Sequence, residues 1–349
     1  MNIFKGSGNF FALDIGANAV RVVELSGSQG NGYTLTHYGY APVDSRIVLS
    51  ESAETRRQLG EVIMTAVGQS GIHTKNVAIG IPSDKTFSTI IDVPVTSDAE
   101  FRSMMKYQVD QYIPMAADEA QVDFALLGPS LHAEGQQEVL LTSTAKRYSE
   151  DRLELVEALG LNVIAAEPDP IAMMRALIPQ NIGQASAMIL DMGELSTDII
   201  VTYGDTPRLI RTIPSGLNSL VKAAVQNLNV KDDQARQFIL KFGLAPDRLE
   251  GQVLRAIDSV LENFTAEISK SIKFFQTRYP SVQINQIFLS GFAAVVPLLD
   301  RYVSSKAGIQ SQLANPWHDI KVSQTDQQHL AVVAHEFATA VGLAKRGNN

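Results

Sequence analysis

Apolar positions along this chain follow two periods, and the switches between them mark its elements. Residues 10–25 (FFALDIGANAVRVVEL) and 186–202 (SAMILDMGELSTDIIVT) share one pattern. Each reads as an apolar strand, Asp-x-Gly, a short loop and a second apolar strand. The registers match: Asp14 with Asp191, Gly16 with Gly193, and Arg21 with Asp198. Two strands about a Gly turn predict a hairpin, because Gly supplies the turn conformation other residues resist. Residues 33–40 predict a third strand, 52–70 a helix ending near Gly71, and 76–82 a buried parallel strand.

The texture then changes. Residues 87–93 alternate as a strand and stop at Pro94. Ser97 and Glu100 are spaced as a capping box. The helix after them carries Phe101, Met104, Met105, Val109 and Tyr112 on one stripe and ends before Pro114. Strands are predicted over 121–127 and 138–145, and a helix over 149–159. A helix beginning at Pro168-Asp169-Pro170 closes the first half, and a lobe boundary is expected around 179–184. Beyond the second hairpin, 207–213 predict a strand, and 217–228, 231–242 and 254–278 predict helices. The last of these has apolar residues at Leu254, Ile257, Val260, Leu261, Phe264, Ile268, Ile272 and Phe275, spaced by threes and fours. A buried strand over 284–289 feeds Ser290-Gly291 and a helix, and a final helix is expected over about 327–345.

This order gives an α/β chain of two lobes with duplicated mixed sheets and a small inserted α+β subdomain. The expected division is 1–83 with 166–182 as the first lobe, 84–165 as the insert, and 183–349 as the second lobe. A length of 349 residues fits two cores better than one. With no Cys, disulfide and thiolate chemistry are excluded. The net charge of −8 disfavours nucleic acid and direct association with an anionic membrane. No apolar run approaches the roughly 18 residues of a membrane span. The six His residues show no metal-like pair spacing.

The duplicated turn is the sharpest candidate for chemistry. Backbone N–H groups left free beside a carboxylate can cradle phosphate oxygens and hold Mg²⁺ through its waters. Asp14 and Asp191 are the candidate Mg²⁺ residues. Gly16, Asn18, Arg21, Gly193, Ser196 and Thr197 are candidate phosphate contacts. A lone Asp-x-Gly is a common hairpin turn; two in matching context favour the functional reading and suggest two lobes facing one cleft. Gly291, at a strand-to-helix turn, would let a nucleoside approach the backbone, although a plain βα turn uses the same residue. No Ser/His/Asp set, carboxylate pair or Gly-Lys-Ser loop assigns a catalytic residue.

The LDIG, LDMGELST and LSG stretches resemble the actin, sugar-kinase and heat-shock ATPase superfamily. KYQVDQYIPMAADEAQVDF, AEISKSIKFFQTRYP and FATAVGLAKR are similar to segments of the PilM family, the cytoplasmic actin-like proteins of type IV pilus assembly. The resemblance runs across nearly the whole chain. It implies a scaffold with at most very slow ATPase activity, binding ATP with Mg²⁺ between its lobes. It also implies a partner, the short N-terminal cytoplasmic tail of an inner-membrane PilN-like protein, and other pilus assembly proteins. That tail would lie between the first lobe and the insert, with Phe87, Met104, Met105 and Tyr112 as candidate walls. The protein would be cytoplasmic and recruited to the inner membrane through the partner.

Departures from the family pattern fall on the nucleotide. The first loop has Ala17-Asn18-Ala19 in place of serines, and Arg21 in place of Lys. Glu194 stands where a small residue is usual. Phe292 replaces a second Gly, and Ile239 occupies the usual Lys position. These changes predict a degraded nucleoside pocket. The alternatives are a related scaffold of type II secretion or a mannose-sensitive pilus, an FtsA-like division protein, and a sugar- or acetate-kinase-like enzyme.

Overall fold

The computed structural model describes residues 9–28, 30–179 and 182–346. Two residues at the centre of the expected lobe boundary, 180 and 181, lie outside that set. The chain begins with β1 (Phe11–Ile15), β2 (Ala19–Ser28), β3 (Gly32–Pro42), α1 (Ser45–Leu49), α2 (Ala53–Ser70) and β4 (Asn76–Ile81). Next come β5 (Thr86–Pro94), α3 (Asp98–Gln108), β6 (Ala120–Pro129), β7 (Gln136–Ala145), α4 (Lys146–Ala158), β8 (Asn162–Pro168) and α5 (Asp169–Leu177). The second half holds β9 (Ser186–Met192), β10 (Thr197–Tyr203), β11 (Thr206–Ile213), α6 (Leu217–Leu228), α7 (Asp232–Phe242) and α8 (Gln252–Arg278). It continues with β12 (Ile284–Gly291), α9 (Leu299–Ala307), β13 (Ser311–Leu313), β14 (Ile320–Lys321), α10 (Gln324–Leu330) and α11 (Ala338–Ala344).

Two compact units result. One comprises the described residues of Met1–Ala176, Asp319–Ser323 and Thr339–Asn349, and the other those of Leu177–His318 and Gln324–Ala338. The first unit has a sheet ordered β14-β3-β2-β1-β4-β8, and the second a sheet ordered β11-β10-β9-β12-β13. The duplication thus extends from the hairpins to the topology. In both sheets an antiparallel three-strand meander is followed by a parallel strand beside its first member, β4 on β1 and β12 on β9, and then by one further parallel strand.

In the first unit, Phe11, Leu13 and Ile15 of β1 and Val20 and Val22 of β2 pack with Leu59, Ile63 and Ala66 of α2. Strand alternation puts Ala12 and Asp14 on the opposite face. Also in this unit is a three-stranded sheet, β5-β7-β6. The expected Ser97–Glu100 capping box starts α3: Ser97 N donates to Glu100 Oε2 at 3.1 Å, and Glu100 N to Ser97 Oγ at 3.4 Å. The apolar stripe of α3 covers this sheet, forming a core of Ile91, Val93, Met105, Val109, Val139 and Leu141.

In the second unit, α8 packs against α6 and β11. Its buried stripe includes Ile257, Leu261, Phe264, Ile268 and Phe275 as expected, but Val253 and Ala256 are buried where Leu254 and Val260 are half-buried. The single final helix expected over 327–345 is instead α10, a short 3₁₀ turn at Ala334–Glu336, and α11. Two packing demands account for the break. Phe337 is fully buried against Trp317, with ring centroids 5.5 Å apart. In the first unit, Gly342 of α11 meets the backbone of α5 so closely that a Cβ would lie 1.8 Å from Ala172 O.

Candidate functional site

Each hairpin closes with the same bond. Gly16 N donates to Ala19 O at 3.1 Å, and Gly193 N donates to Ser196 O at 2.8 Å. Cross-strand pairing then sets Asp14 opposite Arg21, and Asp191 opposite Asp198. One turn geometry therefore presents different charge.

In the first hairpin the side chains are engaged with one another. Arg21 Nη1 donates to Asp14 Oδ2 at 3.2 Å and to Ala19 O at 3.3 Å, and Nη2 donates to Asn18 Oδ1 at 2.9 Å. Both members of the ion pair are nearly inaccessible, with side chains 6% and 8% exposed. The guanidinium also lies 5.6 Å from the Tyr40 ring centroid. Arg21 thus folds over Gly16, where its Nη1 would sit 2.6 Å from an added Cβ. Asp14 is neutralised inside the protein, and the oxygen of Asn18 is drawn to the arginine.

The second hairpin rests on the start of α6. Leu217 N donates to Gly193 O at 3.0 Å and Asn218 N to Glu194 O at 2.9 Å, so two of the amide donors at this helix terminus go to the turn. The Thr197 hydroxyl, expected at phosphate, donates to Ser215 O at 2.6 Å and is buried. Ser196 is half-buried. Thr212 donates its hydroxyl to Asp198 Oδ1 at 2.6 Å, a use of Asp198 within the sheet.

Glu194, Arg236 and Phe292 meet in this same unit. Arg236 of α7 donates to Glu194, whose side chain is only 9% exposed. Arg236 Cζ also lies 6.0 Å from the Phe292 ring centroid, within cation–π range. Phe292 is buried and stands edge-on to His335, with centroids 5.7 Å apart. Ile239, one turn along α7, is fully buried in the core. Gly291 has φ 59 and ψ −143, and a Cβ there would lie 2.4 Å from Met192 O. Its glycine is required by the close approach of β12 to β9, whatever binds nearby. The role of Arg236 has no motif in the sequence; the only signal is an acidic turn residue, Glu194, calling for a cation.

The four candidate partner residues lie on the insert. Met105 is 2% exposed and belongs to its core. Phe87, Met104 and Tyr112 are partly buried against that core. Strand β5, which carries Phe87, is at one end of the strand order β5-β7-β6. Tyr107, Val95 and Leu126 of the insert are 77%, 67% and 60% exposed.

Comparison with known proteins sets these features in a family. A chain of a PilM–PilN type IV pilus biogenesis complex superposes with a TM-score of 0.82 at 23% identity, over 99% of this chain and 100% of that one. The ethanolamine utilization protein EutJ from Carboxydothermus hydrogenoformans follows with a TM-score of 0.56 at 14% identity, covering 99% and 92%. MreB 5 of Spiroplasma citri, in a structure bound to AMPPNP, has a TM-score of 0.52 at 10% identity, covering 97% and 95%. These likenesses establish an actin-like fold, one that carries a nucleotide in MreB 5. The sequence model of the type IV pilus assembly protein PilM matches residues 12–348. With nearly its full length matched, the chain belongs to the PilM family of type IV pilus assembly proteins.

Proposed function

We propose that this chain is a cytoplasmic scaffold of type IV pilus assembly, held at the inner membrane by the short N-terminal tail of a PilN-like protein. Family membership supports the process, and the partner is the one named with the similar PilM–PilN complex. Among the described residues no helix is long and apolar enough to cross a membrane, which suits recruitment through a partner. The observation that carries the docking site is the insert's terminal strand β5, flanked by half-buried Phe87, Met104 and Tyr112. A strand edge adds an extended peptide through backbone hydrogen bonds, and adjacent apolar side chains select its anchors. One or two aliphatic anchors contribute about 1.5–3 kcal/mol each, less the cost of ordering the tail. With the backbone bonds added, affinity for the free peptide is expected to be micromolar or weaker, not nanomolar. Calorimetric titration of a partner-tail peptide into the parent and into Phe87→Ala/Tyr112→Ala tests this. A loss of tenfold or more is expected, and unchanged affinity would remove this surface from the site.

ATP is proposed as a weak ligand. Its candidate contacts are Asp14, Gly16, Asn18, Arg21, Asp191, Gly193, Ser196, Thr197 and Gly291. Several are already bonded to the protein, so nucleotide must displace existing contacts. Mg²⁺ is proposed at Asp14 and Asp191 through waters, with Asp14 the more engaged of the two because Arg21 holds its carboxylate. Among this chain's residues, the Gly16 and Gly193 turns would position phosphate, and Arg21 would reach it by giving up its bond to Asp14.

A further inference from the structure

We infer that the insert carries a divalent transition-metal site formed by Asp92, His132 and Glu138. One ligating atom from each of these residues lies within 4.8 Å of those from the others. Asp92 of β5 and Glu138 of β7 are direct partners across the antiparallel ladder. Glu138 is fully buried, and the Asp92 side chain is 20% exposed. Two carboxylates set opposite each other across strands repel, and burying one of them raises that cost.

His132 supplies nitrogen there from the 130–135 loop between β6 and β7. Its Nε2 is 3.2 Å from Asp92 Oδ2, and its Nδ1 is 3.6 Å from Glu138 Oε1 and 3.3 Å from Ser130 Oγ, so the ring must turn to bring one nitrogen to a metal shared with both carboxylates. An imidazolium brings one positive charge to two carboxylates; a divalent ion matches both. Ligands about 2.1 Å from a tetrahedral ion sit roughly 3.4 Å apart, so closing on a metal requires shifts of about 1 to 1.5 Å. The His132 side chain is 27% exposed, which leaves a path for the ion and for a water as fourth ligand.

The surroundings orient the ligands. Ser130 Oγ donates to Asp92 Oδ1 at 2.8 Å, leaving Oδ2 as the oxygen toward His132. Ser130 itself is fixed by its N–H to Gln136 O at 2.9 Å and by Ala133 N at 3.1 Å. On the other side of β7, the residue opposite Glu138 is Gly128, at a bulge in β6. Bulges at sheet margins commonly re-aim side chains at sites. One imidazole and two carboxylates, without thiolate, suit Zn²⁺ or Mn²⁺; so few oxygens are poor for Ca²⁺.

The test uses tag-free full-length protein, stripped with chelator and titrated with Zn²⁺ by calorimetry, with metal content measured after dialysis. One equivalent is expected in the parent, with affinity falling at least tenfold in His132→Ala and in Glu138→Gln. Co²⁺ should give the absorption of a tetrahedral ion in the parent and lose it in both variants. If Glu138→Gln fails to fold, His132→Ala, at an exposed loop, decides alone. No stoichiometric uptake would assign the cluster to an imidazolium bridging two carboxylates and overturn the proposal. Uptake undiminished in the variants would place the metal elsewhere and overturn it equally.

Discussion

Removing Asp14 is expected to cost stability whatever it does to nucleotide. The Arg21–Asp14 pair is 3.2 Å long with both side chains under a tenth exposed. At an effective dielectric of about 20, that separation is worth about 5 kcal/mol of attraction. Asp14→Ala deletes it and leaves a buried guanidinium, a change that typically costs about 3–5 kcal/mol. Arg21 keeps its bonds to Ala19 O and Asn18 Oδ1 and its place over Tyr40, which favours the lower end. A loss of about 3 kcal/mol lowers the Tm of a unit of this size by about 6–12 °C. Urea and thermal unfolding of Asp14→Ala, Arg21→Met and the double variant measure it. The double variant should be more stable than Asp14→Ala, because no charge is left unpaired. A loss under 1 kcal/mol in Asp14→Ala, or simple additivity in the cycle, would refute the reading of Asp14 as an internally neutralised carboxylate.

Three other outcomes are expected. Phe292→Ala should bind ATP–Mg²⁺ several-fold more tightly in a fluorescent-nucleotide titration, while Arg236→Ala should lose about 3 kcal/mol of stability by leaving Glu194 unpaired; no change in either would mean that the cluster neither blocks nucleotide nor braces the turn. Gly342→Ala should cost about 3 kcal/mol, since the added methyl meets Ala172 O with no flexible atom to yield; urea unfolding within 0.5 kcal/mol of the parent would count against it. Burial raises the Tyr148 phenol above its ordinary value, with the nearby Arg152 opposing. Its stabilising contribution is therefore present below about pH 10 and lost as pH rises through the higher folded value. Tyr148→Phe should flatten that alkaline decline, and an identical decline in both proteins would exclude Tyr148 as its source.

The elements that sequence revealed are those with a strong period or a local signal. The hairpins, the α8 stripe and the Ser97–Glu100 box each depend on residues close in sequence. What escaped depends on distant partners. β8 (NVIAAEP) is short and Ala-rich, and becomes a strand by pairing with β4. β14 has two residues and is defined by β3. The final helix broke because Phe337 and Gly342 each satisfy contacts far along the chain. At the site, residue types were readable but their employment was not. The Thr197 hydroxyl donates to Ser215 O and Met105 packs in the insert's core, uses that no sequence pattern announces. Arg236 carried no motif at all; only the Glu194 it pairs with departed from the pattern.

The duplication has one further consequence. Both halves keep the Gly-closed turn and the strand order, because backbone bonds that any residue can make maintain them. The side chain opposite each aspartate is under no such constraint, and there the copies have separated: Arg21 faces Asp14, whereas Asp198 faces Asp191. A cation held through waters needs carboxylate oxygens, and in the first hairpin the Asp14 carboxylate is already held by Arg21. A guanidinium offers phosphate oxygens planar donors, and Arg21 would do so by releasing Asp14. The two hairpins therefore share a backbone and differ in charge. Swapping the residue at one position moves charge without moving backbone, so Asp198→Arg should abolish Mg²⁺ dependence of ATP binding while leaving the β9–β10 register intact. Retained Mg²⁺ dependence in that variant would return the metal to Asp14 and show that the Arg21 pair opens when nucleotide arrives.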